Sequence, residues 1–322
     1  MNSPALNVQN LRVWLDTESG RHPVVDQVSF RVNAGEVTGL VGESGCGKTM
    51  TAFAIMGLLS SPGTTVEADC IEINGTDIAT ISAGERRRLL GRDIAMVFQQ
   101  PGTALDPVFT IGNQIDAVYR RHIGGSRDQV RQATLDSLEQ VGFDQPEKIA
   151  GAYPHQLSGG MRQLAMIAMA MVCKPAVLIA DEPTTALDSG TRALILHQIT
   201  RLQSDYNTAI LLVSHDLSVI RQSCRDVMVM YCGRIIEQTD SHSLFAHARH
   251  PYSAGLIACI PKISADRPGV ISAIPGQVPA PAALPPGCHF APRCDRANSR
   301  CTQAVPRLEF NEHRAVACFR PL

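Results

Sequence analysis

The chain has 322 residues, 44% of them apolar, enough for one large domain with a small one appended or for two of ordinary size. Its 29 basic and 30 acidic side chains leave a net charge of −1, so the overall basic surplus expected of a nucleic-acid binder is absent and no nucleic-acid partner is expected. The start, MNSPALNVQNLRVWLD, has no basic stretch leading into an apolar core, and the apolar run Leu164 to Cys173 is too short for a bilayer, which takes about 20 residues.

These features predict a cytoplasmic chain whose ten cysteines are buried thiols or ligands rather than disulfides. In chain order, VTGLV (Val37 to Val41) runs straight into glycines and reads as a buried strand, and TMTAFAIMGLL after it reads as a helix. DIAMVFQQP gives a second strand, stopped by Pro101. From about Gln100 to Pro154 the chain reads as a mostly helical lobe, with a helical subdomain over about 100–170. In it RDQVRQATLDSLEQVGF places Val130, Leu135, Leu138 and Val141 at helical spacing. AVLIADEP and AILLVSHD are buried strands, and DVMVMYCGRIIEQ is a hairpin turning at Cys232-Gly233. Strands alternating with helices predict an α/β fold with a mainly parallel sheet covered on both faces. The stretch IPGQVPAPAALPPG is too rich in proline for helix or central strand. It places a boundary near 260, between a domain over 1–260 and a C-terminal segment over 261–322.

GESGCGKT, comprising Gly42, Glu43, Ser44, Gly45, Cys46, Gly47, Lys48 and Thr49, fits G-x-x-x-x-G-K-S/T between a strand and a helix, the context that motif requires. Glycines let the backbone wrap a phosphate with N–H groups, and the helix start adds its positive end. Lys48 is expected to reach the terminal phosphates and Thr49 to coordinate Mg²⁺. At the end of the AVLIADEP strand, Asp181 is expected to hold Mg²⁺ and Glu182 to polarise an attacking water.

LSGGMRQLAMIAMAM, from Leu157, resembles the signature motif of ATP-binding cassette (ABC) ATPases. The order of motifs matches that family as well: phosphate loop, Gln99 in VFQQP, Ser158-Gly159-Gly160, Asp181-Glu182, Asp188 in TTALD, His215 in LLVSHD. The resemblance implies a RecA-like core with an antiparallel β portion and a helical subdomain. It also implies two cassettes closing head to tail over ATP. Ser158, Gly159 and Gly160 would then serve the γ-phosphate held by the other cassette, and Asp188 would line the contact. Gln99 would touch Mg²⁺ and the water, and His215 would hold the γ-phosphate and support Glu182. Two features depart from the family. Leu164 stands where a basic residue usually follows LSGGMRQ, and no aromatic falls cleanly into the adenine-stacking place, although Trp14, Arg21 and His22 are near it in sequence.

HPYSAGLIACIP, IPGQVPAPAALPPGCHFAPRC and HRAVAC resemble the C-terminal region of ATP-binding subunits of oligopeptide and dipeptide permeases. That resemblance implies an importer ATPase on the cytoplasmic face of the membrane. Its partners would be two membrane permease subunits, a second homologous ATPase and an external solute-binding protein. Nickel, opine, glutathione and oligosaccharide importers share the group, so the solute stays open. A soluble ABC ATPase of translation or repair is the remote alternative. Against it stand the single cassette and the absence of any heptad run between Lys48 and Asp181.

Four cysteines, Cys288, Cys294, Cys301 and Cys318, crowd the tail at C-x5-C-x6-C-x16-C spacing. Structural zinc sites usually pair ligands as C-x2–4-C, and no such pair exists here. Wide, uneven spacings suit one thiolate per corner of an iron–sulfur cube, and a metal staple would hold a tail too short for its own core. The resembling permease subunits carry a 4Fe–4S cluster in this region in some members, so such a cluster on these four residues is the expectation, with zinc as runner-up.

Overall fold

The computed structural model describes residues 4–185, 187–260, 273–311 and 314–322; the expected boundary just past 260 thus adjoins residues that lie outside the described ones. The chain clusters into two compact units interleaved along the sequence.

The first unit comprises residues up to Asn7, Arg31–Val37 and Ile71–Leu212. Its strands Ile94–Val97 and Val177–Asp181 pair in parallel, in the register Ile94↔Val177 to Val97↔Ala180. Both are buried along their lengths, which is why they read as unbroken apolar runs rather than alternating ones. The strand Ala209–Ser214, equally buried, lies next to Val177–Asp181. Helices Ile111–His122, Arg127–Gln140, Pro146–Gly151 and Gly159–Met171 follow one another between these strands. Their starts are set locally. Thr110 accepts the Asn113 N–H, and Ser126 and Gln129 form a reciprocal capping box.

The helix Arg127–Gln140 buries Val130, Thr134, Ser137 and Leu138, with Val141 buried at its cap. Leu135 lies on the shoulder of that face rather than within it. Thr134 takes the inner place because its hydroxyl finds the Asp116 carboxylate, so a polar side chain is buried at little cost.

The second unit takes in the described residues of Val8–Phe30, Thr38–Cys70 and Val213–Leu322. The strands Leu6–Thr17 and Gly20–Val32 are hydrogen-bonded neighbours joined by a tight turn, and Thr64–Glu67 pairs antiparallel with the first. No strand of this antiparallel layer is among those predicted from the sequence pattern, which begin at Val37. Val37–Val41 pairs in parallel with Asp226–Tyr231, which pairs antiparallel with Arg234–Asp240. The hairpin turns at Cys232 and Gly233, both at positive φ, as its sequence predicted. The sheet continues outward through Arg314–Val316 and Glu309–Asn311. The C-terminal tail therefore contributes two strands to the sheet that carries the phosphate-loop strand. The fold is an α/β one with a mixed sheet and an antiparallel β portion.

Candidate active site

The buried strand Val37–Val41 delivers the chain into Gly42, and the loop ends at Gly47, which caps the helix Lys48–Met56. Gly47 has φ 110°, and a β carbon there would sit 2.8 Å from the Val24 carbonyl oxygen. At Gly42 the constraint is space alone, since a β carbon would lie 2.3 Å from the Met230 carbonyl oxygen. Lys48 is 5% exposed. Its Nζ donates to the carbonyl oxygens of Gly42 at 2.8 Å and Glu43 at 3.1 Å, so the ammonium is held over the loop. Thr49 follows it, half-buried, while Ser44 and Gly45 form the exposed tip. Cys46 is buried, and burial pushes its thiol up despite Lys48 nearby; only its backbone suits a phosphate.

Glu43 is held on both its backbone and its side chain. Its N–H donates to the Tyr252 hydroxyl at 2.9 Å, and its carboxylate takes both arms of the Arg293 guanidinium, at 2.7 and 3.0 Å. Tyr252 and Arg293 lie in the stretches HPYSAGLIACIP and CHFAPRC that carry the C-terminal resemblance, but nothing in the sequence assigned either to the phosphate loop.

In the first unit Asp181, 1% exposed, ends the buried strand. Gln99 and Glu182 each stand two residues beyond the paired Val97 and Ala180, so the parallel register brings them together. Gln99 Nε2 donates to Glu182 Oε2 at 2.9 Å, and the Thr185 hydroxyl donates to the same oxygen at 2.9 Å. Glu182 has φ 48°, a left-handed backbone that costs a residue with a β carbon on the order of 1–3 kcal/mol and gathers at functional sites.

Ser158 caps the helix Gly159–Met171, its Oγ accepting the Met161 N–H at 3.3 Å. A hydroxyl that accepts there keeps its proton for donation. Asp188 caps Ser189–Tyr206 and accepts from both the backbone and the hydroxyl of Thr191, at 3.0 and 2.7 Å. Those bonds hold its carboxyl below the usual range. The two helix starts meet, since a β carbon on Gly160 would fall 2.4 Å from Thr191 Cγ2. In the second unit His215 is exposed beyond the strand Ala209–Ser214, in a turn where Asp216 N–H donates to Ser214 Oγ.

The ten cysteines are free thiols. Cys288, Cys294, Cys301 and Cys318 line one small cavity of about 20 Å³, with Phe290, Phe319, Arg296 and Arg320. The Arg320 N–H donates to Cys318 Sγ at 3.4 Å. The Ala291 N–H donates to the Cys288 carbonyl oxygen at 2.9 Å, and nearby backbone N–H groups, Phe290's at Cys288 and Arg296's at Cys294, work against the effect of burial on those thiols. Burial pushes Cys288 up to about 11, and raises Cys294 and Cys318. Backbone donors and the Arg296 and Arg320 guanidinium groups beside the four thiols would suit thiolates, but the thiols are not drawn together as a ligand set. Among the described residues, no three or more His, Cys, Asp or Glu side chains are grouped to hold a metal ion.

Residues 25–185 match the family model described as ABC transporter, and residues 236–301 match that of the oligopeptide/dipeptide transporter C-terminal region. The dipeptide transport ATP-binding protein DppD of Escherichia coli K12 is 43% identical over 98% of this chain and 97% of its own. The chain belongs to the ATP-binding proteins of the oligopeptide/dipeptide ABC transporter family. The oligopeptide transport ATP-binding protein AppD of Bacillus subtilis 168 is 42% identical over 98% of this chain and 97% of its own. The cassette fold also matches a dimeric structure of MJ0796, a bacterial ABC transporter cassette, with TM-score 0.65 and 24% identity over 73% of this chain and 98% of that one.

As a family member the chain is an ABC-type ATPase. Leu164, at the departure from the signature pattern, is 5% exposed in its helix, so an apolar residue there joins the core. Trp14 is half-buried rather than core. The Arg21 guanidinium lies 4.8 Å from its ring centre, and Glu67 bonds both Trp14 Nε1 and Arg21. His22 bonds Ser19. Among the described residues, no helix is long and apolar enough to cross a membrane.

Proposed function

We propose that this chain binds MgATP at Gly42–Thr49 and hydrolyses it to drive uptake of di- or oligopeptides. The observation that carries the reading is similarity to peptide-transport ATP-binding proteins over 98% of the chain, the C-terminal segment included. Loop N–H groups and Lys48 bind the phosphates. Thr49, Gln99 and Asp181 are the residues that would hold Mg²⁺, which supplies charge neutralisation to the phosphates. Glu182, aimed by Gln99 and Thr185, accepts a proton from the water that attacks the γ-phosphorus. The bond to the bridging oxygen breaks, releasing ADP and phosphate. His215 holds the γ-phosphate. Ser158, Gly159, Gly160 and Asp188 act on the nucleotide of a second, homologous cassette, so a single chain is a poor ATPase.

Two permease subunits and an external solute-binding protein complete the importer, with this chain at the cytoplasmic membrane face. Val108 and Phe109, 69% and 52% exposed beside the helix Ile111–His122, suit the seat of a permease helix. Crosslinks from Phe109 should reach a permease subunit; crosslinks to none would oppose the docking assignment. Co-expression with permease subunits and a second ATPase of the same importer family, followed by peptide uptake into vesicles, tests the substrate class. ATP-dependent uptake of nickel, an opine or a sugar, without peptide uptake, would replace it.

Cys288, Cys294, Cys301 and Cys318 are proposed to hold a 4Fe–4S cluster as a structural staple. The wide, uneven spacing of the four cysteines, with no C-x2–4-C pair, and the resemblance to permease subunits that carry such a cluster favour it over zinc. Anaerobically purified chain should be brown, with iron and acid-labile sulfide in equal amounts. Colourless chain holding one zinc would overturn the cluster.

A further inference from the structure

Arg293 stands immediately before Cys294, in the C-terminal segment, and Glu43 is the second residue of the phosphate loop, 250 positions earlier. The Arg293 side chain is 4% exposed and the Glu43 side chain 30%. All five guanidinium protons are placed. Nη1 donates to Glu43 Oε2 at 2.7 Å and to the Tyr231 hydroxyl at 3.4 Å. Nη2 donates to Glu43 Oε1 at 3.0 Å and to the Ile274 carbonyl at 3.5 Å. Nε donates to the Pro275 carbonyl at 2.8 Å. Such a guanidinium has no freedom to swing, and a two-pronged pair fixes the carboxylate in plane as well as in distance.

The frame around it joins Tyr231 and Tyr252, which precede the C-terminal segment, to Phe290 within it. Tyr231, Tyr252 and Phe290 pack ring against ring, with centroids 4.6 and 5.4 Å apart, and the Tyr252 hydroxyl takes the Glu43 N–H. Glu43 is thus gripped at backbone and side chain from outside the loop. Its carbonyl and that of Gly42 are the oxygens that hold the Lys48 ammonium.

We propose that Arg293 is a positioning residue of the ATP site: the cysteine-bearing segment clamps the phosphate loop through Glu43 and so sets where Lys48 stands. The proposal rests on the assignment of Gly42–Thr49 as the ATP site, and not on what the four cysteines hold. It gives the C-terminal segment a part in nucleotide binding, because the loop lacks its fixed shape without a residue from that segment. Release of the segment would loosen the loop, and by reciprocity bound nucleotide would hold the segment in place.

The test is a double-mutant cycle in the full-length chain, reading MgATP affinity with a fluorescent ATP analogue and competition by ATP. Glu43→Gln and Arg293→Gln should each weaken MgATP about tenfold, within the range of contacting groups. The double variant should be no weaker than the worse single. Arg293→Lys, which keeps the charge and loses the fork, should fall between wild type and Arg293→Gln. Affinity within twofold of wild type in Glu43→Gln and Arg293→Lys, or losses that simply multiply in the double variant, would overturn the clamp. If Arg293→Gln does not fold, Glu43→Gln and Arg293→Lys decide alone. Lys48→Ala serves as the control. If it leaves MgATP binding unchanged, the ATP-site assignment fails; if it weakens binding while the clamp variants do not, only the clamp fails.

Discussion

Replacing Glu182 by Gln isolates the proton acceptor from the scaffold around it. The amide is the same shape as the carboxylate, and its oxygen still accepts from Gln99 Nε2 and Thr185 Oγ1, which both bond one carboxylate oxygen at 2.9 Å. What changes is basicity. A hydrogen bond to a charged group contributes about 1.5–3 kcal/mol against about 1 for a neutral one, and Gln99 is exposed, so stability should move by about 1 kcal/mol or less. Hydrolysis loses far more, since a positioned general base supplies roughly 10²–10⁴-fold, or about 3–5 kcal/mol of barrier at 1.36 kcal/mol per decade. Steady-state ATPase activity in the assembled transporter, with chemical denaturation and MgATP affinity on the same variant, separates these quantities. The expected outcome is retained folding, retained MgATP binding and at least about a hundredfold loss of turnover. Turnover within a few-fold of wild type would remove Glu182 as the base. A loss of turnover accompanied by an equal loss of MgATP affinity would assign Glu182 to binding.

Lys48→Ala removes the cation bonded to two loop carbonyls. MgATP affinity should fall roughly 10–100-fold, the loss of a charge-assisted contact, measured by nucleotide titration. Gly160→Ala drives a β carbon to 2.4 Å from Thr191 Cγ2, at a cost of about 1–3 kcal/mol from overpacking, which a denaturant melt would register; a melt unchanged within error would show that the two helix starts part freely. His250 is 2% exposed, held neutral down to about 3 by burial, and its Nδ1 accepts the Tyr252 N–H. The unfolded imidazole takes a proton below about 6.5 and the folded one does not. Stability should therefore be indifferent to this residue above that pH and fall below it, by about 2 kcal/mol at pH 5. His250→Asn, which can still cap the helix, should flatten that part of the pH profile, and an unaltered slope would assign the titration elsewhere.

The sequence alone determined what depends on neighbours in the chain. A glycine-bearing loop between an apolar strand and a helix places N–H groups and Lys48 within a few residues. Ser158 and Asp188 cap the helices that begin just after them, and the hairpin turns at Cys232-Gly233 because those two residues take positive φ. Unbroken apolar runs located the buried strands for the same local reason. Tertiary structure decided whatever needed a partner far along the chain. Gln99 and Glu182 meet because two strands pair in one register rather than another, and no spacing within either strand encodes that choice. Leu135 gives up the inner face to Thr134 because Asp116, on another helix, accepts its hydroxyl. Arg293 and Tyr252 belong to the phosphate loop only through the fold. The stretch CHFAPRC marks Arg293 as part of the C-terminal segment but says nothing of a contact with the phosphate loop, and its role comes from a carboxylate 250 residues away that it reaches only once the chain is packed.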